Sequence, residues 1–295
     1  MRQVTRRDFL RAGVAATALA GSIRALPAFA SAKSATDWVT LGNSGVKVTR
    51  LALGTGTYSG RVQRELGQDG FTSLVRHAYD RGIRFFETAE GYSGMPEMLG
   101  IALKGLPRDS YRLMTKFSGR GDLQAKMDRA RTALNTEYID ILLMHCVRSP
   151  TWAQDGEAMR DGISEAKSKK VVMVHGVSCH GLPALGSLPG NTWLDVAMIR
   201  MNHKGLRMDA ASMGDTNDLG DVPQVVAQVG KLRSQGTGIL SMKLVGEGAF
   251  TNAEDREASM KFVMGQGLAD AVTIGYKSPA EIDEAIERMG RALNT

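Results

Sequence analysis

Eight short apolar runs recur along this chain: Leu51–Leu53, Arg84–Thr88, Tyr111–Phe117, Ile139–His145, Val171–Ser178, Asp195–Asn202, Gly238–Val245 and Ala271–Tyr276. Between most of them lie stretches with apolar residues at helical spacing. Leu123 to Leu134 is one; Pro279 to Met289, opened by Ser278 as an N-cap with Glu281 three residues on, is another. Strands that are apolar throughout are buried on both faces, and their alternation with amphipathic helices predicts a parallel sheet between helices. Eight such units fit a closed α/β barrel, the (β/α)8 TIM barrel, better than an open doubly wound sheet. Gly54-Thr55-Gly56 follows the first run without the third glycine of a dinucleotide-binding turn, which argues against the open sheet. Ahead of the first run, Val39-Thr40-Leu41 and Val46-Lys47-Val48 flank Gly42-Asn43-Ser44-Gly45 and predict an N-terminal β-hairpin.

An apolar content of 43% with 23% charged residues is ordinary globular usage and excludes a disordered or collagen-like chain. The net charge of +6 is unevenly placed. Residues 1–30 hold Arg2, Arg6, Arg7, Arg11 and Arg24 against Asp8 alone, and the remaining 32 basic and 30 acidic side chains nearly cancel. No basic run with interleaved aromatics is left to track a phosphate backbone, so nucleic acid is excluded as a partner. The N-terminus itself reads Thr5-Arg6-Arg7-Asp8-Phe9-Leu10-Arg11, then an apolar stretch from Ala12 to Ile23, then Ala28-Phe29-Ala30. It resembles a twin-arginine signal peptide. That resemblance implies a signal peptide over residues 1–30, a barrel over residues 31–295, and passage of the folded protein through the twin-arginine translocase into the periplasm. It also implies a cofactor bound before export. The apolar stretch falls short of the about 20 residues that span a bilayer, so no stable membrane anchor is expected.

In a barrel of this kind the carboxyl ends of the strands build the active site. The second run ends in Glu87-Thr88-Ala89-Glu90-Gly91-Tyr92, the third in Thr115-Lys116-Phe117 and the fourth in Met144-His145. A carboxylate, a phenol, an ammonium and an imidazole thus converge from three adjacent strands. A phenol is a poor acid at neutral pH, and a neighbouring ammonium is expected to stabilise its anion and lower its pKa. Glu87 would hold Lys116, while His145 would orient a carbonyl oxygen toward Tyr92.

These residues resemble the aldo-keto reductase superfamily over nearly the whole mature chain. The resemblance is carried by Leu53-Gly54-Thr55-Gly56-Thr57, Thr88-Ala89-Glu90-Gly91-Tyr92, Thr115-Lys116, Ile139-Asp140 with His145, Gly176-Val177-Ser178 and Lys277-Ser278, in that order and spacing. It implies hydride transfer between NAD or NADP and a small carbonyl or alcohol substrate. Tyr92 becomes the proton donor, Lys116 its partner, His145 the substrate orienter and Glu87 the tetrad carboxylate. It further implies Gly54, Thr55, Ser178, Cys179, Lys243, Lys277, Ser278 and Glu281 as cofactor-binding positions.

The chain departs from the family at several of these places. Glu87 stands where aspartate is usual, Cys179 where asparagine holds the nicotinamide carboxamide, and Met198 and Met201 where a glutamine and a stacking tyrosine are usual. Glu281 stands opposite the arginine that pairs with the 2′-phosphate of NADP; a carboxylate repels that phosphate and accepts from a ribose hydroxyl, which favours NAD. These departures also suit an alternative, a non-catalytic periplasmic binding or accessory protein on the same barrel. Glu87 and Glu90 as a glycosidase pair would sit on one strand end rather than two. Cys146 and Cys179, each beside a histidine, admit a metal site, a disulfide or buried thiols; no metal is assigned. The segment Asp209–Val222 reads as part of a substrate lid or a plain surface loop.

Overall fold

The computed structural model of the chain describes residues 32–119, 121–211 and 219–295. The twin-arginine segment, with Arg6 and Arg7, lies outside them, as does the middle of the expected lid. Two strands, β1 (Trp38–Thr40) and β2 (Lys47–Thr49), pair antiparallel as the expected hairpin. Eight parallel strands follow: β3 (Leu51–Gly54), β4 (Phe85–Glu87), β5 (Arg112–Phe117), β6 (Ile139–Val147), β7 (Val172–Cys179), β8 (Val196–Arg200), β9 (Gly238–Met242) and β10 (Ala271–Gly275). They close in the order β3 to β10, with β10 pairing back onto β3. This is the (β/α)8 barrel with an N-terminal hairpin that the eight apolar runs predict.

The apolar residues divide into two layers because each strand is buried on both faces. Ala52, Phe85, Met114, Ile141, Leu143, Val174, Val196, Met198 and Leu240 fill the barrel interior, and Leu41 and Val48 of the hairpin pack onto them. Leu53, Phe86, Leu113, Leu142, Val177, Ala197 and Ile239 face the helices instead. The hairpin lies at the barrel's amino-terminal mouth: Asn43 N donates to Gly236 O at 2.8 Å, two residues before β9 begins. Gly42 is required there, since a Cβ on it would lie 2.2 Å from that same carbonyl. The opposite, carboxyl-terminal mouth is therefore the open one.

Local chemistry accounts for the helices. Leu123–Leu134 begins at Asp122, whose carboxylate accepts from Gln124 N and Ala125 N, and it ends at Asn135 with a φ of 51°. The last helix, Pro279–Leu293, runs four residues beyond the expected Met289 and starts from Ser278, whose hydroxyl accepts from Glu281 N at 3.4 Å. β9 is three residues shorter than its apolar run, because Lys243 takes a φ of 62° and turns the chain out of the sheet. The described ends of Asp209–Val222 are not a plain surface loop. Asp209 is fully buried and paired with Arg200, and Asp221 N donates to Asp209 O at 3.2 Å. Among the described residues, no helix is long and apolar enough to cross a membrane.

Candidate active site

Four of the sequence-predicted side chains meet at the open mouth. Glu87 ends β4, Tyr92 stands in the loop after it, Lys116 lies in β5 and His145 in β6. Lys116 is buried, and its Nζ donates to Glu87 Oε1, to Thr88 O at 3.1 Å and to Tyr92 Oη at 3.2 Å. An ammonium has three donors, and all three are used. The second Glu87 oxygen accepts from Thr55 N at 3.3 Å and from Thr273 Oγ1 at 3.4 Å. The imidazole of His145 stands edge-on to Tyr92 with ring centroids 5.5 Å apart.

The longer carboxylate fits because the neighbouring strand leaves room. Gly54 is the ladder partner of Glu87, and a Cβ on it would lie 2.9 Å from Glu87 Oε2 and 2.5 Å from Thr273 Oγ1. Gly56 leaves the same kind of room beside Tyr92, where a Cβ would meet Oη at 2.6 Å.

The electrostatics correct one expectation. Burial raises the Tyr92 phenol above its ordinary value, with the nearby Cys146 and Glu247 adding to the effect, so Lys116 does not bring it down in this state. Burial also acts on Lys116 and pushes it down to about 7. The physical reason is shared: removal from water disfavours both charged forms. Tyr92 is thus a protonated phenol at neutral pH. Because Lys116 donates into its oxygen, its own O–H is left to aim elsewhere.

Beside this group lies a cleft of about 560 Å³, within the size range of small-molecule and cofactor sites. Gly54, Glu87, Tyr92, Lys243, Lys277 and Glu281 line it, together with Gly56, Met198, Tyr276 and His180. Four predicted cofactor positions sit behind that wall. Thr55 turns its hydroxyl to Glu87 O at 3.0 Å, and Ser178 is fully buried. Cys179 is buried with Sγ directed at Gly181 O, and Ser278 caps its helix. Lys243 Nζ meets Glu247 Oε1 at 2.5 Å, and Glu281 Oε2 accepts from Lys277 N at 2.8 Å. Met201 is buried in the layer that faces the helices.

Sequence reasoning missed Arg256 and Arg288 in the cleft wall, both bound to Glu284 at 2.6 and 2.8 Å. The i,i+4 spacing of Glu284 and Arg288 was the available signal, while Arg256 comes from another helix. Glu90 is held by Lys126 at 2.7 Å, which takes it out of any carboxylate pair with Glu87. Neither cysteine is in a disulfide.

The fit of a nicotinamide dinucleotide rests on the donors present. Gly54 and Gly56 line the cleft, Lys243 and Lys277 stand in its wall beside Glu247 and Glu281, and the buried hydroxyl of Tyr276, also in that wall, has no hydrogen-bond partner among the described residues. Buried polar groups are mostly paired, so an unpartnered hydroxyl in a cleft wall is available to a ligand.

A closed parallel barrel whose carboxyl-terminal rim sets a phenol, a buried lysine, a carboxylate and an imidazole beside such a cleft defines a class of barrel oxidoreductases. The chain belongs to the aldo/keto reductase family, which it matches over residues 50–294. It is 29% identical over 169 residues to "Probable aldo-keto reductase 1" of Glycine max, a match covering 47% of this chain and 48% of that one. It is 35% identical over 118 residues to the L-galactose dehydrogenase of Arabidopsis thaliana, covering 36% of each. The matches therefore span about half or less of those curated relatives. Among solved structures, the holo form of an aldo-keto reductase from Bacillus halodurans superposes with a TM-score of 0.69 at 14% identity, over 87% of this chain and 95% of that one. An aldo-keto reductase from Klebsiella pneumoniae, solved in complex with NADPH, does so with a TM-score of 0.62 at 15% identity, over 84% and 88%. At these identities the solved structures establish the fold.

Proposed function

We propose that this chain is an exported oxidoreductase that interconverts a small carbonyl compound and its alcohol with NAD or NADP, retained from before export. The observation that carries this reading is the Lys116–Tyr92 contact of 3.2 Å beside the cleft, with Tyr92 kept protonated by burial. A nicotinamide bound in the cleft supplies or takes up the hydride. Tyr92 holds the proton at Oη and gives it to the carbonyl oxygen in reduction, or takes it back from the alcohol in oxidation. Lys116 steadies the phenolate that remains, Glu87 fixes Lys116, and His145 donates to the same substrate oxygen. Lys243 and Lys277, in the cleft wall, would hold the dinucleotide's diphosphate. NAD is favoured over NADP, because Glu281 adds a carboxylate to the wall and the arginines there, Arg256 and Arg288, are engaged by the carboxylates of Glu284 and Glu257.

The periplasm has little free nicotinamide nucleotide to recycle, so a cofactor loaded in the cytoplasm and kept explains both the export signal and the closed redox couple. Release of stoichiometric NAD or NADP on denaturing the exported protein, identified by mass spectrometry, supports this. An empty supernatant together with no binding on titration of either nucleotide overturns it. Tyr92→Phe is expected to lower kcat for carbonyl reduction by about 10²- to 10⁴-fold while leaving nucleotide affinity unchanged.

The second reading, a non-catalytic periplasmic binding or accessory protein, is favoured by one observation. Cys179 turns away toward Gly181 and Met198 lines the cleft, so neither offers the carboxamide partner usual in the family. Nucleotide binding without turnover of any aldehyde, ketone or alcohol in a broad panel would select it.

A further inference from the structure

Cys146 interrupts β6. Its φ of 57° is a left-handed conformation that costs energy in a residue bearing a side chain, and it falls where the pairing of β6 with β7 shifts between Met144 and Val147. A bulge of this kind re-aims a side chain. Here it brings Cys146 Sγ to 3.5 Å from His180 Nε2. His180 follows β7, anchored by its N–H on Val147 O at 2.9 Å, and its ring lines the cleft. The turn behind it is held by a buried ion pair: Asp209 Oδ1 accepts from Gly181 N at 2.6 Å and from the Arg200 guanidinium at 2.6 Å.

The groups around the thiol come from several elements. His145 precedes it in β6, with its ring 6.5 Å from that of His180, and Arg148 follows it in sequence. Lys116 from β5 and Tyr92 from the loop after β4 lie within electrostatic range of the sulfur, as does Cys179 from β7. Asp209 is within range of His180. His180 Nε2 is the hydrogen-bonding partner of the thiol, and Lys116, bound to Glu87, Thr88 and Tyr92, acts on the sulfur only through its charge. Cys179 has the opposite setting: it is fully buried, and burial pushes its thiol well above the ordinary value.

From this geometry we propose that Cys146 and His180 form a thiol–imidazole nucleophile beside the cleft that His180 lines, a covalent site for soft electrophiles of the α,β-unsaturated carbonyl class. His180 Nε2 accepts the proton of Cys146 Sγ, and the sulfur pair forms an S–C bond to the β-carbon. The C=C π pair moves through the enolate to the α-carbon, which takes the proton back from Nε2. One S–H and one C=C become one S–C and one C–H, and no oxidant or reductant is consumed. The class follows from the surroundings: His180 shares the cleft with the apolar Met198, Met242 and Phe250, which suit a carbon skeleton, and with Tyr92, whose hydroxyl suits a carbonyl oxygen. The step needs no nucleotide, so it stands or falls separately from the oxidoreductase reading.

The test is the labelling rate of the full folded chain with N-ethylmaleimide at pH 6.5, located by peptide mass spectrometry and compared with the same chain unfolded in urea. An ordinary thiol is about 1% anionic at that pH. The expected result is modification of Cys146 at least tenfold faster than the unfolded-chain cysteines, with Cys179 untouched until unfolding, and a rate at least tenfold lower in His180→Asn. A smaller excess in the wild-type chain, labelling of Cys179 ahead of Cys146, or a folded His180→Asn variant that labels like the wild type overturns the proposal. The wild-type comparison decides by itself if the variant does not fold.

Discussion

Glu87 carries one methylene more than the aspartate usual in this family, and the space for it exists because its ladder partner is Gly54. Gly54→Ala is expected to push a methyl group against Glu87 Oε2 and Thr273 Oγ1, costing about 1–3 kcal/mol in a urea titration and lowering kcat. Adding Glu87→Asp withdraws the carboxylate but leaves the closer contact with Thr273 Oγ1, so only part of both losses should return. The spacing of Glu87, Tyr92, Lys116 and His145 was enough to name the group, but the sign of the phenol's shift was not legible. It depends on burial, which an isolated motif does not report. With Lys116 pushed down to about 7, its ammonium is present below that pH and lost above it. The phenolate left by proton donation then loses its support, so kcat/KM for carbonyl reduction should fall as pH rises through about 7. A pH profile checks this, and in Lys116→Met the inflection should disappear along with most of the activity.

Strand ends and the turns after them decide which side chains reach the cleft. β7 and β8 approach so closely that a Cβ on Gly176 would lie 1.8 Å from Val196 O, and the turn beyond β7 is tied down both by Asp209 and by the His180 N–H on Val147 O of β6. Asp209→Ala removes the buried carboxylate that accepts from Gly181 N and the Arg200 guanidinium; a loss of about 1–3 kcal/mol is expected from the urea midpoint. Asp209→Asn keeps an acceptor for Gly181 N and should cost less. Apolar runs located every strand to within three residues, because continuous burial leaves a continuous apolar record. They overran β9, where Lys243 takes a left-handed backbone and its carbonyl accepts from Gly246 N and Asn202 Nδ2. They also gave no sign of Asp209, a charged residue whose partner Arg200 lies nine positions back on β8.

Closure of β10 onto β3 gives the molecule two apolar layers, one inside the strands and one beneath the helices, with the hairpin covering the amino-terminal mouth. Site chemistry is left to the other mouth. A prosthetic group seated there before export would make the folded state the exported state. Replacement of both Arg6 and Arg7 by lysine should therefore leave folded protein in the cytoplasm, read by cell fractionation and immunoblotting; normal export of that variant would remove the twin-arginine reading. The eightfold alternation, the hairpin and the tetrad positions are written in local patterns of apolar and polar residues, since periodicity and strand ends are properties of short stretches of chain. The room beside Glu87, the protonated Tyr92, the Cys146–His180 contact and the arginines in the cleft wall arise from residues far apart in the chain. They exist only once the barrel has closed, because burial and approach are properties of what surrounds a residue.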